Sequence, residues 1–193
     1  MSATYASNGL ATLAPLAGSS LAKKALLVFG GSVFLAAMSQ AAIGFPVPMT
    51  LQTLGVMLIG LTFGFRLATA TVALYLLEGV LGIPVFAKFS SGWAAIAGGT
   101  GGYLVGFLAS VAVMGLMADR GLTKGWAGTI VAVVVGTVIT FSLGVAWLTY
   151  LYGFEKAMEW GVLPFVISEP IKMALAVLIG TGVLKGASRF AKL

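Results

Sequence analysis

Between Lys24 and Arg66 the chain runs for 41 residues without a charged side chain, and residues 89–118 and 125–154 repeat the pattern over 30 residues each. A soluble fold needs charges to cover its surface. Here they are only 8% of 193 residues, against about 25% in ordinary globular domains, while 60% are hydrophobic. The mean hydropathy is +1.08. These runs predict an integral membrane protein.

A crossing of the ~30 Å hydrocarbon core takes about 20 helical residues. Residues 25–65 therefore hold two spans, broken at Gly44-Phe45-Pro46-Val47-Pro48, where two prolines end one helix and allow a turn. A third span runs from about 67 to 82 and stops at Gly82-Ile83-Pro84. Spans four, five and six follow at about 98–118, 125–154 and 162–184. The expected fold is all-α, with six transmembrane helices in one compact bundle over residues 25–193. Residues 1–24 read as a flexible cytoplasmic tail. The Lys23-Lys24 pair ahead of an apolar run resembles a signal sequence, but that run is long enough to span.

With the N-terminus in the cytoplasm, six spans return the C-terminus there. The inner segments then hold Lys23, Lys24, Arg66, Arg120, Lys124, Lys185, Arg189 and Lys192, while the outer loops hold Lys88 and Lys156. Such a bias toward the inside is the usual topological signal. It also accounts for the net charge of +6 without nucleic acid, since no segment is a basic patch interleaved with aromatics.

The chain has no Cys and no His, which removes thiolate chemistry, the commonest metal ligand and the usual Ser–His pair. No G-x-x-x-x-G-K-[ST] occurs, so ATP-driven uptake would need a partner that supplies the motor. Gly98, Gly102 and Gly106 form a double GxxxG ladder, and Ala37 and Ala41 in span one are also four apart, a spacing that Ser32 and Ala36 repeat. Small-residue stripes let another helix approach closely, in this chain or in a partner.

An ionisable side chain in hydrocarbon costs ~2.5–3.5 kcal/mol on insertion scales, so it faces the bundle interior and marks a candidate site. Glu78, Glu169 and Lys172 qualify. Glu169 and Lys172 share one helix face, and a helix starting at Ser168 would tolerate Pro170 in its first turn. Lys172 lies 13 residues before Lys185, ~20 Å of helix, which puts the pair in the outer half of the membrane. Glu78 either joins them or snorkels to the outer interface. At the same level lie Phe45–Thr53, with Thr50 and Gln52, and Phe86–Trp93, with Lys88. These segments either wall a pocket or form an ordinary aromatic belt.

Four pieces in this order resemble the BioY family, the biotin-specific S components of energy-coupling factor (ECF) vitamin transporters. They are Pro46-Val47-Pro48-Met49-Thr50-Leu51-Gln52-Thr53-Leu54, Leu81-Gly82-Ile83-Pro84-Val85-Phe86, Gly98–Phe107 and Glu169-Pro170-Ile171-Lys172. The resemblance covers nearly all of the chain after about residue 24. It implies high-affinity biotin capture near the outer face of a bacterial cytoplasmic membrane. It also implies a transmembrane coupling protein and two ATPase subunits as partners, met through Ala37 and Ala41. The family's acid in span six is more often Asp, and the position of Gly99 is often Pro. Biotin offers a ureido ring, an apolar thioether ring and chain, and a carboxylate. On this resemblance Glu169, Lys172 and Lys88 meet its polar ends, Gln52 and Glu78 add polar contacts, and Trp93, Tyr103 and Phe86 wall the rings. Biotin is then the transported ligand, and no cofactor is implied.

Two other classes compete: a scaffold or assembly protein docking through glycine- and alanine-rich faces without a ligand, and an intramembrane enzyme built on a Ser168–Lys172 dyad. The transport subunit itself would work with the coupling module or as a homo-oligomer. The residues favour a transport subunit rather than an enzyme.

Overall fold

The computed structural model describes residues 20–44 and 46–190, the last seven by backbone alone. Among them are seven α-helices and one two-stranded antiparallel ribbon. The chain enters helix α1 (Leu21–Gln40). It turns through the ribbon of β1 (Ala42–Ile43) and β2 (Met49–Thr50), which pairs Ala42 with Thr50 and Ile43 with Met49. Helix α2 (Gln52–Val80) comes next, and after a 3-10 turn at Ala87–Phe89 the short α3 (Trp93–Ala97). The remainder is α4 (Gly101–Asp119), α5 (Gly125–Tyr152), α6 (Phe154–Gly161) and α7 (Phe165–Phe190). Most of the expected tail lies outside the described residues, and α1 already begins at Leu21, inside it.

Among the described residues, five helices are long and apolar enough to cross a membrane: α1, α2, α4, α5 and α7 over Phe165–Val183. Where the sequence predicts two spans around Arg66, the structure has one helical element, broken at Gly64 (φ 75°, ψ 169°). Its two halves fold back on each other. Gln52 and Tyr75 are 23 residues apart, which on a straight helix is ~35 Å, yet Gln52 Nε2 donates to the Tyr75 hydroxyl at 2.7 Å. A single glycine makes this reversal because its backbone conformation is essentially closed to other residues. Asp119, the last residue of α4, secures it by accepting from the Phe65 backbone N–H at 3.0 Å. A carboxylate there satisfies an orphan donor and suits the positive end of the helix that begins at Phe65. That helix stops as expected: Gly82 has φ 98°, the Ile83 N–H donates to the Glu78 carbonyl at 3.0 Å, and Pro84 follows.

The bundle is tied together by close backbone approach. A Cβ on Gly106 would meet the Thr140 backbone at 2.9 Å, and one on Gly102 would strike α5 at Leu143–Gly144. The partner of that part of the glycine ladder is thus α5 of the same chain; Gly98 sits apart, at the end of α3. Burial is inverted relative to a water-soluble fold. Ser32, Ser39, Gln52, Thr53, Glu169 and Lys172 are buried, while Leu26, Phe29, Val33, Ile130, Val134 and Val138 are exposed. Exposed apolar side chains on five long helices are what lipid, not water, solvates. The chain is a multi-pass membrane protein.

Within span six, at about 162–184, the sequence lets the helix begin, or restart, at Ser168, with Pro170 in its first turn. Helix α7 begins three residues earlier, at Phe165, and Pro170 lies inside it. The reason is the turn before it, where the Phe165 N–H donates to the Val162 carbonyl at 2.9 Å and starts the helical spiral early. Replacing Gly64 by Ala is expected to destabilise the protein by about 1–3 kcal/mol from backbone strain alone, and by more in total, because the Cβ would also strike the Asp119 carboxylate. A lowered thermal midpoint in detergent checks this, and an unchanged midpoint would show that the reversal does not depend on glycine.

Candidate ligand-binding site

The segments around the ribbon, the 3-10 turn and the start of α4 converge on a cavity of about 300 Å³. Thr50, Gln52 and Thr53 reach it because Thr50 ends β2 and the other two open α2. The ribbon loop contributes Pro46, Val47 and Pro48; two prolines there leave the loop short of amide donors. Phe86, Ala87 and Lys88 come from the 3-10 turn, Tyr103 and Phe107 from α4, Phe141 from α5 and Phe165 from α7. Tyr103, Phe141 and Phe165 form an aromatic triangle, with ring centroids 5.4–6.3 Å apart. The Tyr103 hydroxyl is anchored on the Gly161 carbonyl at 2.7 Å, so its ring is held as a wall. Phe86 is 2% exposed and seats its ring against Gly79, where a side chain would collide with it.

Lys88 stands at the exposed edge of the cavity. Its backbone and that of Phe89 are both left-handed (φ 56°), a conformation that costs ~1–2 kcal/mol per residue outside glycine. Two side-chain contacts hold the turn. Lys88 Nζ donates to the Gly44 carbonyl at 2.7 Å, and the Phe89 N–H donates to Gln40 Oε1 at 3.0 Å. The turn is thereby laced to the far end of α1 and to the ribbon loop.

Glu169 and Lys172 are each 5% exposed and form an ion pair. They stand one layer behind the lining. Thr53 Oγ1 donates to Glu169 Oε1 at 3.1 Å, Lys172 Nζ donates to the Thr50 carbonyl at 3.0 Å, and the Phe165 ring centroid is 5.9 Å from that ammonium. Thr50, Thr53 and Phe165 all line the cavity. An ammonium has three protons; Glu169 and the Thr50 carbonyl take two, which leaves one. Glu169 Oε2 is buried without a hydrogen-bond partner among the described residues. One donor and one acceptor are therefore unspent beside the cavity.

Of the residues expected at the site, Gln52, Phe86, Lys88 and Tyr103 line this cavity and Glu169 and Lys172 back it. Trp93 and Glu78 are not brought in. Trp93 is 70% exposed at the start of α3, whose Ala94 and Ala95 face the cavity instead. Glu78 is half-buried and accepts from the Ser32 hydroxyl, which places it between α1 and α2. Ser32 and Ala36 turn inward while Ala37 and Ala41 are exposed, so the two small-residue stripes of α1 serve different faces. Phe165 was legible but missed: with Glu169 and Lys172 it makes an i, i+4, i+7 stripe. Phe141 and Tyr75 carry no local signal that sets them apart from other aromatic residues in spans.

An apolar helical bundle that encloses a small-molecule cavity with a few placed polar groups defines a membrane-embedded protein with an internal ligand pocket. The comparisons make this specific. A family model described as the BioY family matches residues 7–189, and the chain belongs to that family. It is 40% identical over 134 residues to the "Probable biotin transporter BioY" of Pyrococcus horikoshii, covering 69% of this chain and 78% of the relative. It is also 40% identical over 135 residues to the "Biotin transporter BioY" of Thermotoga maritima, covering 69% and 79%. The "Biotin transporter BioY2" of Lactococcus lactis is 36% identical over 168 residues, covering 84% and 90%. A solved structure described as the S-component for biotin from an ECF-type ABC transporter superposes with a TM-score of 0.76 at 25% identity, over 85% of this chain and 92% of that one. The family is one of transport components, not enzymes.

Replacing Phe86 by Ala is expected to cost about 3–5 kcal/mol of stability, the usual range for a buried phenylalanine. Trp93→Ala is expected to stay within about 0.5 kcal/mol, as at other exposed positions. Thermal unfolding of both variants in the same detergent checks the contrast; equal losses would mean that Trp93 packs as Phe86 does.

Proposed function

We propose that this protein captures biotin at the cavity between the ribbon loop and α4, as the substrate-binding subunit of an ECF-type uptake system. The observation that carries the reading is the cavity itself. Its volume of about 300 Å³ falls at the lower end of small-molecule sites. Its walls are largely apolar, with Phe86, Tyr103, Phe107, Phe141 and Phe165 among them, which suits the thioether ring and chain of biotin. Its polar groups are of both kinds: the Gln52 amide and the Thr50 and Thr53 hydroxyls in the lining, Lys88 at the edge, and one layer behind them the unspent donor and acceptor of Lys172 and Glu169. A ureido group presents two N–H donors and one carbonyl, which Glu169 and Lys172 complement; Lys88 is the cation left for the carboxylate.

In this reading the two halves of α2 serve as the second and third of six crossings, with both termini cytoplasmic and the cavity toward the outer face of the cytoplasmic membrane. The fold-back at Gly64 and the excess of Lys and Arg at one end support it. The exposed Ala37 and Ala41 then form the face that meets a transmembrane coupling protein, whose two ATPases energise release inward.

Titration of biotin into detergent-solubilised protein by calorimetry, with thiamine and riboflavin as controls, tests the capture step. Tight one-to-one binding of biotin alone is expected, and Lys172→Ala should weaken it about ten- to a hundred-fold, since charge-assisted hydrogen bonds are worth ~1.5–3 kcal/mol each. Silence toward biotin in folded protein would end the reading. Ala37→Trp is expected to leave biotin binding unchanged and to abolish uptake in cells that supply the coupling module. Loss of binding would instead make the Ala37 face internal packing.

A further inference from the structure

Gln52 is the lining residue whose amide can present either of two faces, and the structure shows what decides between them. Tyr75 is fully buried in the second half of α2 and lines no part of the cavity. Its hydroxyl donates to the Val85 carbonyl at 3.0 Å, an atom that can only accept. With its one proton committed there, the tyrosine oxygen must accept from its other neighbour, and it does so from Gln52 Nε2 at 2.7 Å. The nitrogen end of the amide is thereby set toward Tyr75. The oxygen end, Gln52 Oε1, accepts from Thr50 Oγ1 at 3.0 Å, and that hydroxyl in turn accepts from the Gln52 backbone N–H at 3.1 Å. A reversed amide would take the tyrosine proton and leave the buried Val85 carbonyl only Ser39 Oγ at 2.7 Å, whose single proton the Ala36 carbonyl also accepts at 2.7 Å. Such losses are costly where water is absent.

An amide held this way keeps one N–H and one lone pair of its carbonyl oxygen unspent, on a residue that lines the cavity. One donor and one acceptor of fixed placement are the complement of one C=O and one N–H of a cyclic urea. We propose that Tyr75 is a positioning residue that sets ligand specificity from outside the cavity, locking the Gln52 amide in the orientation that reads a ureido edge. The inference rests on the biotin reading above and names what selects the ring.

Tyr75→Phe removes the hydroxyl and keeps the ring, which packs edge-on against Phe86 at 5.4 Å. The measurement compares biotin with 2-iminobiotin at pH 7, whose cyclic guanidinium carries only donors, and with biotinol, altered at the carboxylate end alone. For the wild type, biotin should bind well above 2-iminobiotin. In Tyr75→Phe, biotin affinity should fall about five- to tenfold, the scale of one hydrogen bond. Affinity for 2-iminobiotin should fall much less, because a released amide can turn its oxygen to both donors. Biotinol should fall in step with biotin. In a Gln52→Leu background Tyr75→Phe should have no further effect, since the tyrosine acts through that amide. Equal losses for biotin and 2-iminobiotin, no loss for either, or an undiminished effect in the Gln52→Leu background would overturn the proposal. If Tyr75→Phe does not fold, Thr50→Val frees the other end of the amide and must narrow the same ratio for the proposal to stand. A wild type that ignores biotin would count against the function reading, a separate result from all of these.

Discussion

Two opposite charges buried at membrane depth hold this molecule to one arrangement. Glu169 and Lys172 would each be costly in hydrocarbon, and an ion pair alone rarely offsets the desolvation of both partners. Here the pair is completed from elsewhere in the chain, by the Thr53 hydroxyl on the carboxylate and the Thr50 carbonyl on the ammonium. The last helix is therefore tied to the ribbon end and to the first turn of α2. Those same residues wall the cavity, so the element that satisfies the charges also builds the site.

A second polar layer runs alongside. Ser39 and Tyr75 converge on the Val85 carbonyl, Tyr75 holds Gln52, and Gln52 holds Thr50. From Thr50 the chain of contacts reaches Lys172. Segments far apart in sequence, from the end of α1 to α7, are thus connected through side chains whose partners are all internal. Lipid competes for none of these bonds. Specificity of structure and polarity of the site come from the same few groups.

The membrane class, the extents of most long helices and the stop at Gly82 were legible because each follows from local chemistry: runs of apolar residues, charges at their ends, glycine and proline at exits. Charged residues in apolar runs also pointed correctly to Glu169 and Lys172 as a buried pair. The fold-back at Gly64 was not legible as a single-residue reversal, since a glycine in an apolar run is ordinary and Asp119, which secures the turn, lies 54 residues beyond its partner Phe65. Trp93 and Glu78 read like site residues by type and level alone. Their placement turned on rotation about helix axes, which sequence level does not report. Tyr75 gave no signal, because its role exists only where two antiparallel halves of α2 meet.

Composition and spacing determined by themselves that this chain enters a bilayer, roughly where most of its long helices run, and which residues are too polar to face lipid. These follow from transfer free energies that each residue carries wherever it sits. Which stripe of α1 packs inside and which stays exposed, which aromatics close around the cavity, and which way the Gln52 amide points were decided only by tertiary structure. Each depends on contacts between segments tens of residues apart, and hydrogen bonds and close packing act over a few ångströms in space with no regard to separation along the chain.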